Sequence, residues 1–230
     1  MNLETNQIEE LLPQVRAEYL RRMTNGDGTL LRQVEEYTAG RMGKMLRPRM
    51  LLAAHFNLSP LTAHLPRRTL LLATAVEMLH NATLLHDDVI DNDLMRRGRP
   101  SVNAQWNNSI AVLVGDYHLV SIMQLLDEIG DTQITQKFHA TVKSMVEAEL
   151  LAQEMGSEKW ERERYLKIID GKTANLFALA AELGNPACRD YGLHYGRLFQ
   201  LRDDIADGEA TPYTQELIEK EEKILQEFNF

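Results

Sequence analysis

The chain has 230 residues, 44% of them hydrophobic, and its 34 acidic against 25 basic side chains give a formal net charge of −9. This apolar content is enough for a sizeable core and excludes a wholly disordered chain, whereas the acidic balance argues against a general nucleic-acid binder, which needs a surplus of Lys and Arg. The single cysteine, Cys188, excludes an intramolecular disulfide and a zinc cluster built from thiolates.

The N-terminal stretch 1–10 is polar and acidic, which is unlike a secretory signal or a transit peptide. No uninterrupted apolar stretch approaches the roughly 18–20 residues that span a bilayer. The sequence therefore predicts a cytoplasmic protein without an integral membrane segment.

Further along the chain, apolar residues recur at spacings of three and four, which is typical of helices with one buried face. The predicted helical blocks run over about 70–85, 110–126, 134–155, 165–183 and 191–205, with Gly and Pro between them. Strand-like alternation bounded by turns is absent from the sequence. The pattern predicts an all-α protein of about eight to ten helices, closed by an amphipathic helix near the end of the chain.

Two acidic clusters carry the same Asp-Asp-x-x-Asp pattern, and each follows an apolar run. The first consists of Asp87, Asp88 and Asp91, and the second of Asp203, Asp204 and Asp207. On a helix this spacing brings carboxylates together on one side, where like charges repel. Mg²⁺ removes that conflict, because it binds one or two carboxylates together with water and phosphate oxygens. One copy alone is compatible with an exposed acidic helix end, but two copies predict a metal site.

Basic groups accompany both clusters. They are Lys44 with Arg47, then Arg96 with Arg97, and Lys172 beside Thr173. Arg offers forked donors that match phosphate oxygens, and Lys offers a mobile charge. Each group alone is compatible with a solvated loop. Because the first two lie close in sequence to the first acidic cluster, they favour binding of a diphosphate.

Five motifs follow one another in order: Gly-Lys-x-x-Arg-Pro at 43–48, Leu-Leu-His-Asp-Asp-x-x-Asp at 84–91, Arg-Arg-Gly-x-Pro at 96–100, Gly-Lys-Thr at 171–173 and Phe-Gln-x-x-Asp-Asp-x-x-Asp at 199–207. Together they resemble the trans-isoprenyl diphosphate synthases (polyprenyl synthetases), most closely the medium- and long-chain members. The resemblance implies a single domain over residues 1–230 with the isoprenoid-synthase-type helical bundle around a central cavity. It also implies a homodimer, with a heteromer left open.

The reaction implied by the resemblance is head-to-tail condensation of an allylic diphosphate with isopentenyl diphosphate, with Mg²⁺ as cofactor at about three ions per site. Motif by motif, the resemblance implies that the metal is bound by Asp87, Asp88, Asp91, Asp203 and Asp207. It implies that the allylic diphosphate is bound by Arg96, and isopentenyl diphosphate by Lys44, Arg47, His80 and Arg97. The region where the allylic cation forms would be lined by Lys172, Thr173 and Gln200. Breaking the allylic carbon–oxygen bond leaves a carbocation and a diphosphate, whose charge metal ions and arginine stabilise.

Product length is predicted from the helix that carries the first cluster, because in this family the prenyl tail extends along it from the metal site. Thr83 and Ala82, four and five residues before Asp87, lie about 6–7.5 Å deeper along that helix and are both small. Small side chains leave the tunnel open, so we expect products longer than C15. The alternative is that Met78 or Met123 closes the tunnel deeper down.

The chain departs from the family after the second cluster, where relatives carry further lysines and several more helices. Here 208–212 leads into an acidic tail, so we expect a shortened C-terminal region after about residue 208. An active enzyme is favoured because every recognised metal ligand is retained. The alternatives are a non-catalytic or small subunit of a heteromeric synthase and a terpene cyclase-like enzyme. The separate diphosphate site at Lys44 and Arg47 argues against the cyclase.

Overall fold

The computed structural model describes residues 3–24, 29–39, 42–57, 64–154 and 161–228. These residues form eleven α-helices, one of them a single turn, which confirms the predicted all-α class. The helices are α1 Leu3–Met23, α2 Leu30–Ala39, α3 Leu46–Phe56, α4 Arg67–Ile90, α5 Val102–Gln105, α6 Asn108–Ile129, α7 Thr132–Gln153, α8 Arg162–Ile169, α9 Asn175–Gly184, α10 Arg189–Asp207 and α11 Thr214–Gln226. Residue 155, where the third predicted block ends, lies outside the described residues.

Three short elements lie between the helices. They are an antiparallel hairpin of β1 Met95–Arg96 and β2 Arg99–Pro100, a π-helical segment Asp170–Ala174 between α8 and α9, and a 3₁₀ turn Pro186–Cys188 before α10. Alternation cannot reveal the hairpin, because each strand has only two residues. The block predicted over 165–183 is therefore interrupted by the π-helical segment rather than being one regular helix.

The chain forms two compact units, one of residues 1–49 with 61–131 and the other of 50–60 with 132–230. Helix α3 contributes its first turn to the first unit and the rest to the second. The single domain expected from the resemblance stays a prediction.

In the first unit, α4 packs against α1 and α6. It is apolar almost all round and buries Leu71, Val76 and Leu79, as expected of a helix enclosed by its neighbours. The fully buried side chains of His118 on α6 and Glu35 on α2 approach to 2.8 Å, which ties these two helices together. The first unit thus encloses α4, whose C-terminal end carries the first acidic cluster.

Helix α6 is long and apolar enough to cross a membrane by length and composition, with a mean hydropathy of 1.5. Core helices satisfy the same measure, and one side of α6, including Val114, Ile122 and Leu125, is buried within the protein. The expectation of no membrane segment stays a prediction.

In the second unit, α10 packs against α9 and α11, and the π-helical segment lies against α7 and α10. Tyr165 and Ile169 from α8, Leu201 from α10, and Leu217 and Ile218 from α11 belong to one buried cluster. The predicted amphipathic closing helix is therefore present as α11, and its apolar face covers the helix that carries the second acidic cluster.

Candidate active site

The first acidic cluster lies at the C-terminal end of α4, which ends at Ile90 with Asp91 as its cap. Asp88 is only 4% exposed, and Arg96 Nε donates to its Oδ1 over 2.6 Å. Burial raises the pKa of Asp88, and the Arg96 guanidinium opposes that rise. Asp87 is partly buried and Asp91 is exposed. The middle carboxylate is thus anchored, while the outer two reach towards solvent.

The β1–β2 hairpin holds the two arginines that follow this cluster. Arg97 and Gly98 at its turn have φ of 53° and 76°, the left-handed pair that a tight two-residue hairpin turn requires. Arg96, the last residue of β1, pairs with Asp88. The guanidinium of Arg97 in the turn lies against Gly43, where a Cβ would come within 2.8 Å of it.

A second basic group surrounds His80 on α4. Arg47 is 8% exposed, and its Nη1 lies 3.2 Å from His80 Nε2. Because a guanidinium only donates hydrogen bonds, Nε2 is the acceptor and the imidazole is neutral, with its hydrogen on Nδ1. Burial, followed by the charges of Arg47, Arg97 and Arg96, lowers the pKa of His80 well below its ordinary value. Lys44, three residues before Arg47 in the sequence, is exposed.

Glu77, one turn of α4 before His80, is a member of this group that the motifs do not reveal. It is 1% exposed, and neither carboxylate oxygen has a hydrogen-bond partner among the described residues. Burial raises the pKa of Glu77, while the nearby Arg47 and Arg97 lower it. A buried carboxyl group facing two guanidiniums offsets part of their mutual repulsion. The signal in the sequence is an acidic residue inside the apolar block 70–85.

A cavity of about 40 Å³ in the first unit lies beside Asp88 and the two arginines of the hairpin. Its lining includes Asn81, Asp88, Arg96, Arg97 and Ser101. Apolar side chains make up most of its remaining lining. Asp88 of the first acidic cluster and Arg97 therefore border one recess.

The second acidic cluster has the same arrangement at the C-terminal end of α10. Asp204 is 7% exposed, its Oδ1 accepts from Gln200 Nε2 over 2.7 Å, and its Oδ2 accepts from the Tyr165 hydroxyl. Asp203 and Asp207 are exposed. In both clusters, the middle carboxylate is buried and hydrogen-bonded and the third is exposed to solvent.

The Gly-Lys-Thr motif forms the π-helical segment of the second unit. The Thr173 hydroxyl donates to Gln200 Oε1 over 2.5 Å, and Lys172 Nζ lies 2.8 Å from Glu149 Oε2 on α7. Gly171 is required here because a Cβ would lie 2.2 Å from Ala148 Cβ. The π-helical turn, a form that often occurs at functional sites, thus brings Thr173 and Gln200 together.

Both clusters lie where acidic side chains are unfavourable. The C-terminal end of a helix carries partial negative charge, and neither α4 nor α10 has a basic residue in its last turn. Within the described ranges, no three acidic or histidine side chains already form a metal site on their own. A group of carboxylates that leaves part of the coordination shell open fits Mg²⁺, which takes its remaining oxygen ligands from water and phosphate.

The chain matches known proteins over most of its length. The family profile described as Polyprenyl synthetase matches residues 28–221. The chain is 37% identical over 188 residues to an all-trans-nonaprenyl-diphosphate synthase (geranyl-diphosphate specific) from Rhodobacter capsulatus, covering 77% of this chain and 57% of that protein. It is 34% identical over 226 residues to the octaprenyl diphosphate synthase of Escherichia coli (strain K12), covering 91% and 68%. The chain belongs to the polyprenyl synthetase family.

A solved structure agrees with this assignment. The polyprenyl synthase from Caulobacter crescentus CB15, complexed with calcium and isoprenyl diphosphate, matches with a TM-score of 0.78 and 33% identity, covering 87% of this chain and 64% of that one. The likeness confirms the isoprenoid-synthase-type helical fold. The chain spans 57% and 68% of the length of the two curated relatives and 64% of the crystallised one.

The residues expected to act together are grouped within each unit. The first unit contains the first acidic cluster with Arg47, His80, Arg96 and Arg97, and the second contains the second cluster with Lys172, Thr173 and Gln200. Of the two chain-length positions on α4, Ala82 is fully buried, whereas Thr83 is partly exposed and its hydroxyl donates to the His80 carbonyl over 2.9 Å.

Proposed function

We propose that this member of the polyprenyl synthetase family is a Mg²⁺-dependent prenyltransferase. It condenses an allylic diphosphate with isopentenyl diphosphate to an all-trans polyprenyl diphosphate longer than C15, and releases diphosphate. The allylic carbon–oxygen bond breaks, a carbon–carbon bond forms with the double bond of isopentenyl diphosphate, and a proton is lost. The observation that carries the proposal is the shared arrangement of the two acidic clusters, in which a buried middle aspartate lies between more accessible carboxylates at a helix end.

The outer carboxylates Asp87, Asp91, Asp203 and Asp207 are the proposed principal Mg²⁺ ligands. Asp88 is proposed as a further ligand: Arg96 contacts its Oδ1, its Oδ2 can also accept, and a guanidinium with five donors can bind another partner at the same time. An incoming allylic diphosphate is such a partner, because its oxygens accept from a guanidinium. Mg²⁺ supplies Lewis-acid stabilisation of the leaving diphosphate.

The diphosphate of isopentenyl diphosphate is proposed to bind at Arg47, His80 and Arg97, with Lys44 closing over it. Neutral His80 can donate through Nδ1 while Arg47 holds its Nε2. Two guanidiniums facing one buried carboxyl group, Glu77, leave net positive charge for an anion. This second diphosphate site distinguishes a prenyltransferase from a terpene cyclase, which needs only one.

Lys172, Thr173 and Gln200 are proposed to line the region where the allylic cation develops. The Thr173 hydroxyl gives its hydrogen to Gln200 and so keeps its oxygen lone pairs for the cation. Fixed dipoles of this kind stabilise developing charge without reorganisation during the reaction.

A homodimer is the proposed assembly, with a heteromer as the alternative. One stripe of α6 exposes the apolar side chains Leu113, Val120 and Met123 at helical spacing, and such stripes favour burial against a partner. The cytoplasmic location and the absence of a nucleic-acid partner are proposed on the sequence alone. Light scattering of the purified chain tests the assembly: a homodimer has twice the mass of the chain.

Turnover is the direct test of the function. The chain is incubated with Mg²⁺, radiolabelled isopentenyl diphosphate and geranyl, farnesyl or geranylgeranyl diphosphate, and the dephosphorylated products are separated by chromatography. We expect linear products longer than C15, and Asp203→Asn to reduce turnover by about 10²-fold or more. Asp190→Asn, an exposed aspartate at the other end of α10, is the matched control and should turn over normally.

Three outcomes favour other functions. Absence of product with every primer supports a non-catalytic subunit. Cyclic hydrocarbons formed without isopentenyl diphosphate support a terpene cyclase. Equal turnover of Asp203→Asn and the wild type removes the second acidic cluster from the reaction.

A further inference from the structure

The middle aspartate of the second cluster belongs to a continuous set of hydrogen bonds inside the second unit. Thr173 donates to Gln200 Oε1 over 2.5 Å, and Gln200 Nε2 donates to Asp204 Oδ1 over 2.7 Å. These bonds connect the π-helical segment to α10. They begin at the hydroxyl group that the proposed function places beside the allylic cation.

The same aspartate is bound from its other side by α8 and α11. Tyr165, 1% exposed, donates its hydroxyl hydrogen to Asp204 Oδ2. The Tyr165 oxygen lies 3.2 Å from the hydroxyl of Thr214, the first residue of α11, and Thr214 is also 1% exposed. The Thr214 hydroxyl in turn accepts from the backbone N–H of Thr211 over 2.8 Å. Helix α11 therefore contributes a buried polar group behind the acidic cluster.

The direction of each hydrogen bond follows from chemistry. An ionised carboxylate only accepts, so the side-chain nitrogen of Gln200 must face Asp204 and its oxygen must face Thr173. The single hydrogen of the Thr173 hydroxyl is then committed to Gln200. If Asp204 were released, the Gln200 amide could turn over, and Thr173 could present its hydrogen instead of its lone pairs.

A second contact from α11 reaches the start of the same π-helical segment. Glu221, 1% exposed, lies 2.5 Å from His194 Nδ1 and 3.7 Å from Arg197 Nη1. Arg197 holds Asp170 with two bonds of 2.6 and 2.7 Å. Asp170 begins the segment that carries Thr173. Two polar connections thus lead from α11 through α10 to this segment.

We propose that Asp204, Tyr165 and Thr214 are positioning residues that orient Gln200 and the Thr173 hydroxyl. The proposal deepens the proposed function and rests on it for the role of Thr173. It assigns α11 a part in the reaction, because Thr214 supports the Tyr165 hydroxyl that holds Asp204. Removing a member should lower kcat and leave the KM of both diphosphates little changed, because none of the three residues is assigned to substrate.

The test compares isosteric variants in the full chain. Tyr165→Phe removes one hydroxyl and keeps the ring in its apolar cluster. Tyr213→Phe is the control, because the Tyr213 ring packs on the same cluster and its hydroxyl has no hydrogen bond among the described residues. We expect Tyr165→Phe to lower kcat roughly 10- to 100-fold, the scale of a misplaced catalytic group, with KM within about two-fold.

Thr214 gives a second, independent pair of variants. Thr214→Val removes the hydroxyl at nearly constant volume and should lower kcat, whereas Thr214→Ser, which keeps the hydroxyl, should recover it. Equal kcat for Thr214→Val and Thr214→Ser, or for Tyr165→Phe and Tyr213→Phe, overturns the proposal. Circular dichroism and melting temperature establish that each variant is folded.

A readout without turnover separates this proposal from the proposed function. Hydrogen exchange of the Gln200 side-chain amide, followed by NMR after glutamine labelling, should be slow in the wild type and Tyr213→Phe and fast in Tyr165→Phe. If the wild type shows slow exchange of this amide but no turnover, the hydrogen-bonded set is confirmed and the proposed prenyltransferase activity is rejected. Fast exchange in the wild type would reject the set itself.

Discussion

Gly171→Ala is the substitution whose effect the structure defines most closely. The added Cβ would lie 2.2 Å from Ala148 Cβ and 2.8 Å from the Ser144 carbonyl oxygen. Because carbon atoms pack at about 3.5–4.0 Å, the π-helical segment and α7 must separate by about 1.3–1.8 Å. Such a shift breaks the 2.5 Å bond between Thr173 and Gln200. We expect kcat to fall by about 10²-fold, the scale of a 1 Å misplacement.

The same crowding should also lower stability. Overpacking costs about 1–3 kcal/mol, and at about 2–4 °C per kcal/mol for a chain of this size the melting temperature should fall by roughly 2–12 °C. Gly184→Ala is the matched control, since its Cβ would lie 2.2 Å from the Leu51 carbonyl oxygen. That position is about 16 Å along the helical path from Thr173.

Steady-state kinetics and thermal unfolding of both variants, corrected for the folded fraction, are the assay. The two glycine variants should lose similar stability, but only Gly171→Ala should lose kcat by more than about two-fold. Equal kcat for the two variants would refute the reasoning, because the loss would then follow stability and not the place of Thr173.

Further predictions concern product length, pH and metal. Ala82→Phe should shorten the product, and an unchanged product distribution with normal folding would mean that the tunnel does not pass this side chain. The pKa of His80 is lowered from 6.5 in the folded protein, so below pH 6.5 the unfolded chain binds the proton more readily and the wild type loses stability. His80→Gln removes this group, so the free energy of unfolding of the variant should fall less over the same pH range. Denaturant titrations of both proteins between pH 7 and 5 measure this, and parallel curves would contradict it. Chelation of divalent ions should abolish turnover and leave the circular dichroism spectrum unchanged, and turnover that persists in chelator would exclude metal dependence.

The helices could be predicted from the sequence because apolar spacing reports directly on burial. Helix α4 appears in the pattern as a continuous apolar block, and α11 as an amphipathic one. The π-helical segment could not be predicted in this way. It depends on how closely Gly171 approaches Ala148 on another helix, and periodicity within one block carries no information on that distance.

The sequence predicts which residues belong to the candidate site better than it predicts what each of them does. The Asp-Asp-x-x-Asp pattern identifies both clusters, but it treats neighbouring carboxylates alike. Asp88 and Asp204 differ from the carboxylates around them because they are buried, with Arg96 and Tyr165 as their respective partners. Tyr165 lies 39 positions from Asp204 in sequence, so no local motif indicates this contact.

Glu77 shows the limit of motif reading in the basic group. Its importance depends on the burial of its carboxyl group and on two arginines that come from other parts of the chain. The hairpin turn at Arg97 and Gly98 is similar, since a two-residue strand leaves no pattern. In that case the Arg-Gly pair itself is the local signal, because Gly favours the left-handed conformation of the turn.

We propose above all that the outer carboxylates of each acidic cluster bind divalent metal ions together with a diphosphate. Paramagnetic resonance of Mn²⁺, titrated into the protein with a non-hydrolysable allylic diphosphate analogue, measures this directly. We expect about three ions bound per chain, and the loss of at least one ion in Asp87→Asn and, separately, in Asp203→Asn. Two results would contradict this proposal. One is an unchanged number of bound Mn²⁺ ions in Asp203→Asn, and the other is no more Mn²⁺ bound in the presence of the wild-type protein than by the analogue alone.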